Sequence, residues 1–182
     1  MQTQVFPIKG PVLVFPKVHG DDRGFFFESF KSSEYEKLGI PKIFSQDNHS
    51  KSGKNVLRGL HYQAPPHDQG KLVRVVRGSV LDVIVDIRKD SPTYGDHITV
   101  KLTEKNHEIF WVPSGFLHGF ITLEDNTEFL YKVTNEYSKE SEGGVIFNDP
   151  TLNINWGVPY HECILSEKDK VLPSFKDFKS PF

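Results

Sequence analysis

The chain is poor in sulfur, with one cysteine, Cys163, and one methionine among 182 residues. A disulfide within the chain is therefore excluded, and a thiolate zinc centre, which needs several cysteines, has no ligands to draw on. A lone free thiol suits a reducing compartment, so a cytoplasmic location is expected. Long apolar runs are missing as well. No stretch reaches the roughly 20 residues that span a bilayer, and MQTQVFPIKG at the start has no apolar segment after a basic one, so neither membrane nor secretion signal is expected. Charge of one sign is also lacking. Lys and Arg total 22 against 24 Asp and Glu, a net −2, without the basic excess typical of a general nucleic-acid binder. Leu- and Ala-rich heptads are absent, which argues against a coiled coil.

What is present points to strands. Phe is the leading large apolar residue with 15 copies, beside 14 Gly and 12 Pro. Pro11–Phe30 reads as strand, turn and strand around GDDRG, and Ser32–Ile40 as a short helix capped by Ser and ended by Gly39. KIFSQDNHSKS reads as a strand running into a loop. Lys71–Arg88 is the clearest strand pair, hinged at Arg77-Gly78, and the stretch from His97 to Ser138 adds short alternating strands broken by EKN, PSG and EDN. Strands at spacings of about 8–12 residues with few helices predict an all-β, double-stranded β-helix jelly roll of cupin type with a few short helices. One domain over residues 1–182 is expected, with extended N-terminal strands and a looser tail from Asn148.

In such a fold every second strand residue faces inward, so inward polar residues need an explanation. VLRGLHYQAPPHDQGKLVRV (Val56–Val75) places Arg58, His61, His67 and Lys71 in a segment that otherwise reads as buried sheet. PSGFLHG resembles the second motif of metal cupins, but the His-x-His of their first motif is here His61 followed by Gln63. His61, Gln63 and His118 make a poor donor set, and no metal is expected. A histidine base flanked by cations suits removal of a proton next to a carbonyl, because a cation stabilises the enolate oxygen. Regular pleating sets Arg58 and His61 on opposite faces, unless a bulge at Gly59 brings them together. Tyr131 and Tyr137, six residues apart, read as one strand face: the first as a phenol that could give a proton, the second as a plane that could stack on a ring. LSEKD supplies a carboxylate that could orient a histidine. His67 reads as an exposed loop residue.

GDDRGFFFESF, QDNHS, LRGLHYQ, GKLVRVVRGSVLDVIVDIR, PSGFLHGF, YKVTNEYS, NDPTLNINW and LSEKD occur in this order from about Val14 to Asp169. Taken together they resemble the dTDP-4-dehydrorhamnose 3,5-epimerase family. The resemblance implies a homodimer without cofactor or metal, acting on dTDP-4-dehydro-6-deoxy-D-glucose. It implies His61 as base, Asp169 as its polarising partner, Lys71 at the enolate oxygen and Tyr131 as acid. For the substrate it implies Arg23, Glu28, Gln46, Asn48 and Arg58, with Tyr137 against the thymine and His118 and Glu142 as further contacts. Arg23 and Glu28 are expected to reach the partner subunit's site. The alternatives are an epimerase of only carbon 3 or only carbon 5 of a related nucleotide sugar, a sugar-binding cupin without catalysis, and a metal-dependent cupin enzyme.

Overall fold

The computed structural model describes residues 2–182. Thirteen strands account for most of its regular structure: β1 (Gln2–Val5), β2 (Val12–Phe15), β3 (His19–Asp21), β4 (Gly24–Phe26), β5 (Gln46–Ser52), β6 (Leu57–Gln63), β7 (Lys71–Arg77), β8 (Ser79–Asp86), β9 (His97–Thr103), β10 (Ile109–Val112), β11 (Phe116–Thr122), β12 (Thr127–Val133) and β13 (Glu142–Gly144). A six-stranded sheet has the order β1-β2-β10-β7-β12-β5, and a five-stranded sheet the order β13-β6-β11-β8-β9. Strands β3 and β4 form a separate hairpin. Neighbouring strands within the sheets run antiparallel, as a jelly roll requires.

The apolar residues divide by strand parity into three layers. Val73, Val75, Val80, Ile84, Phe110 and Phe129 fill the space between the sheets. Val83, Val85, Leu117 and Ile121 point the other way and meet Val145, Ile154 and Trp156. Val12, Val14, Leu72 and Trp111, on the outer face of the six-stranded sheet, meet Tyr35 and Ile40. Strand β8 is therefore buried on both faces, which is why VLDVIV lacks the hydrophobic–polar alternation of a half-exposed strand.

Several local expectations change. Strands β7 and β8 are not hydrogen-bonded to each other: the chain crosses at Gly78 from the six-stranded sheet to the five-stranded one. Gly78 has φ +76, and a side chain there would meet Thr127, so the hinge needs glycine twice over. KIFSQDNHSKS is a loop running into a strand rather than the reverse, since β5 begins at Gln46. The helix spans only Ser32–Tyr35 (α1), then tightens to a 3₁₀ turn over Glu36–Leu38. Lys31, not a serine, holds its N-cap position without a side-chain bond, while Gly39, at φ 77, ends it as expected. The tail after Asn148 holds only short 3₁₀ turns, yet Leu152, Ile154 and Trp156 are buried and Phe175, Phe178 and Phe182 pack on the same cluster.

Candidate active site

A cavity of about 630 Å³ opens between the two sheets. Arg58, His61 and His118 enter it from β6 and β11 of the five-stranded sheet, Lys71 and Tyr131 from β7 and β12 of the six-stranded sheet, and Asp169 from the tail. A second cavity of about 380 Å³ shares His61, Lys71 and Tyr131 and is lined further by Gln46, Asn48, Tyr137 and Glu142. The shared trio thus lies where the two cavities meet. Lys71, near His61 in sequence, faces it from the opposite sheet.

A bulge sets the histidine wall. His118 pairs with His61 and Phe120 with Arg58, so Gly119 alone faces both Gly59 and Leu60. The extra residue brings Arg58 and His61 into one cavity, which regular pleating would forbid. Gly59 has φ +122, and a Cβ on it would lie 2.6 Å from Gly119 Cα. Only glycine permits that close approach of β6 to β11.

Asp169 Oδ1 lies 2.6 Å from His61 Nε2. An ionised carboxylate can only accept, so Nε2 carries the proton and Nδ1 keeps a free lone pair. Asp169 is 3% exposed. Burial pushes its carboxyl up, but hydrogen bonds from His61, Ser166 and the Gly59 N–H outweigh that and hold it below the usual carboxylate range. The bulge therefore aims His61, and His61 is the main group that favours the ionised form of its partner. A second pair lies deeper, where His118 Nε2 donates to Asp82 Oδ2 at 2.9 Å and both residues are buried. Asp82 was not singled out from sequence, although a carboxylate inside VLDVIV was the available signal.

On the facing wall, burial pulls the Lys71 ammonium down to about 8, against the Asp82 and Glu142 carboxylates that favour its charged form. Burial pushes the Tyr131 phenol up, with Arg58 acting in the opposite sense, so the phenol holds its proton at neutral pH.

The remaining residues divide. Gln46 donates to Asn48 Oδ1 at 2.7 Å, and Arg58 donates to Ser52 at 3.1 Å. Tyr137 lies beyond the end of β12, not on the strand face with Tyr131, because the ladder stops at Val133. The loop that follows nevertheless returns it to the smaller cavity, where its hydroxyl donates to Glu142 at 2.9 Å. Glu142 also pairs with Lys168. Gln63 is buried and its amide is committed to backbone groups of residues 67, 136 and 138. His67 is exposed, against Ser141. Arg23 and Glu28 lie outside both cavities: Arg23 is on the β3–β4 hairpin, paired with Asp21, and Glu28 pairs with Lys31 at 3.5 Å.

The dTDP-4-dehydrorhamnose 3,5-epimerase family model matches residues 5–177. The chain belongs to this family. It is 54% identical over 160 residues to the dTDP-4-dehydrorhamnose 3,5-epimerase of Shigella flexneri, covering 87% of each chain. The crystal structure of dTDP-4-dehydrorhamnose 3,5-epimerase from Elizabethkingia anophelis NUHP1 matches with a TM-score of 0.93 at 46% identity, over 97% of each chain. The dTDP-6-deoxy-D-glucose-3,5-epimerase of Legionella pneumophila Philadelphia 1, solved with dTDP-4-keto-L-rhamnose, matches with a TM-score of 0.93 at 44% identity, over 98% of this chain and 94% of that one.

Proposed function

We propose that this chain is a single jelly-roll epimerase domain that inverts carbons 3 and 5 of dTDP-4-dehydro-6-deoxy-D-glucose to give dTDP-4-dehydro-L-rhamnose. The observation that carries the reading is His61 on one sheet, backed by Asp169 from the tail, facing Lys71 and Tyr131 on the other sheet across one cavity. Inversion needs a proton removed from one face of the sugar ring and delivered to the other, and two opposed walls supply two groups.

In the proposed step His61 Nδ1 takes the proton from the carbon next to the carbonyl. The C–H electron pair becomes the enolate double bond, and the carbonyl pair moves to the carbon-4 oxygen. Asp169 stabilises the imidazolium, and the Lys71 ammonium stabilises the enolate oxygen. Tyr131 then gives its proton to the opposite face of the same carbon, the carbonyl reforms, and solvent restores both groups. The same cycle serves carbons 3 and 5, since both flank carbon 4.

Arg58 is assigned to the diphosphate, which a guanidinium can grip through two donors. Gln46, Asn48, His118 and Glu142 are assigned to further substrate contacts, and Tyr137 to the thymine. Arg23 and Glu28 lie on a separate hairpin and segment, so they are assigned to a second copy's site in a homodimer. Phe25 and Phe26, 64% and 68% exposed beside Arg23, support that assignment as interface residues.

Proton NMR in deuterated water tests the scheme. Wild type should exchange both carbon-bound positions and accumulate inverted product. Tyr131→Phe should still exchange through His61 while making little inverted product, and His61→Ala should lose both by roughly 10²–10⁴-fold. Equal exchange and inversion in Tyr131→Phe would reject the two-group assignment, and exchange at one position in wild type would establish a single-centre epimerase.

A further inference from the structure

We propose that Gln63 is a positioning residue whose amide latches the 134–141 segment to the 64–70 loop and so holds Tyr137 over the nucleoside-base site. The inference rests on the assignment of Tyr137 to the base. Gln63 is two residues beyond His61 on β6, so pleating sets both on one face. In metal cupins this position carries a donor to the ion. Here the side chain, 4% exposed, is filled by the backbone on either side of Tyr137. Its Nε2 donates to the Glu136 carbonyl at 3.0 Å and to the His67 carbonyl, and its Oε1 accepts from the Ser138 N–H at 2.9 Å.

Further bonds tie the same two loops, among them the Ala64 N–H to the Ser141 carbonyl at 2.7 Å and the Thr134 N–H to the Gly70 carbonyl at 3.1 Å. Gln69 donates to the Asn135 carbonyl at 2.6 Å, Asn135 Nδ2 to the Asp68 carbonyl at 2.7 Å, and the Gly70 N–H to Thr134 Oγ1 at 2.9 Å. Tyr137 itself is 57% exposed, so packing does little to fix it. Its place comes from its own N–H on Gln46 Oε1 at 3.0 Å, its hydroxyl on Glu142, and the latch behind it. A ring already held in place loses little freedom when ligand arrives, so the latch acts on affinity. His61 shares β6 with Gln63, but β6, β7 and β12 are also held by their own strand ladders, so the catalytic groups keep their places without the amide and catalysis after binding is spared.

The experiment is Gln63→Met, of similar length but without the amide. It is read by calorimetric dTDP binding, steady-state kinetics and amide hydrogen exchange. The Kd for dTDP and the KM should each rise about tenfold, the equivalent of one lost hydrogen-bonding group, with a much smaller change in kcat. Exchange should quicken in residues 134–141 and not in β6 or β11. An unchanged dTDP affinity in the folded variant overturns the latch, as does a fall in kcat at constant KM. Tyr137→Ala separates this from the base assignment. If Tyr137→Ala binds dTDP like wild type, the base assignment fails; if it weakens binding and Gln63→Met does not, only the latch fails. The double variant should bind no more weakly than Tyr137→Ala alone, and full additivity overturns the coupling. Should Gln63→Met not fold, Gln63→Asn, whose shorter side chain draws the amide back from the Glu136, His67 and Ser138 backbone, is read in the same way.

Discussion

In its proposed role beside the enolate, Lys71 combines two demands that oppose each other. An enolate oxygen needs a cation close by, and the enclosed cavity that gives that cation its effect also penalises its charge. Burial leaves the pKa at about 8 against a usual 10.5. Because the folded value is the lower one, the charged form is disfavoured in the native state. Its cost is fully present below about pH 8 and is relieved as pH rises from there toward 10.5. Activity that depends on the ammonium runs the other way. The pH profile of kcat/KM for the free enzyme should fall through an ionisation near 8. In Lys71→Met that alkaline ionisation should be absent from the residual rate, and its thermal stability should gain least on wild type at the alkaline end. An unchanged alkaline limb in Lys71→Met would assign the ionisation to another group.

At the scale of elements, the bulge in β6 links backbone geometry to chemistry. Gly59 gives the strand its extra residue and approaches Gly119 closely, and the bulge it forms turns His61 toward Asp169. Gly59→Ala meets a left-handed backbone and a clash with backbone rather than with a flexible side chain. The substitution should destabilise by more than about 1 kcal/mol. It should also lower kcat by more than the loss of stability explains, because His61 and Asp169 shift relative to each other. Thermal unfolding and kinetics on the folded fraction would check this; a destabilised variant with wild-type kcat would reduce the bulge to a structural role. A bulge at Gly59 was conceivable from LRGLH, as the one way to bring Arg58 and His61 together. The break of β12 before Tyr137 was not, since YKVTNEYS carries no glycine or proline to end the strand.

At the scale of the molecule, one chain places His61, Tyr131 and Lys71, the proposed base, acid and enolate cation, in one cavity but leaves Arg23 and Glu28 outside its cavities. If a second copy completes the nucleotide site, two defective proteins can repair each other. Arg23→Ala and His61→Ala, each impaired alone, should regain about a quarter of wild-type activity after unfolding and refolding together in equal amounts. Half of the dimers are then hybrids, and one of the two sites in each hybrid is intact. No recovery in mixtures shown to contain hybrids would place Arg23 in the site of its own chain or outside catalysis.

The sequence by itself determined the strand-rich architecture and the residue types of the site. Strand periodicity, glycine turns and the ordered motifs are local, and a chain with 15 Phe and almost no helical pattern has few other ways to bury itself. It did not determine which wall each group occupies. Lys71 and His61 are ten residues apart yet face each other from different sheets, while Asp169, 108 residues from His61, lies within 2.6 Å of it. Asp82 and Gln63 read as ordinary strand residues until their partners, His118 and the backbone around Tyr137, were brought to them. Local pattern fixes how a strand alternates, whereas the pairing order of thirteen strands fixes what its inward face meets. A buried carboxylate or amide takes its role from the partner that satisfies it, and only the tertiary structure supplies that partner.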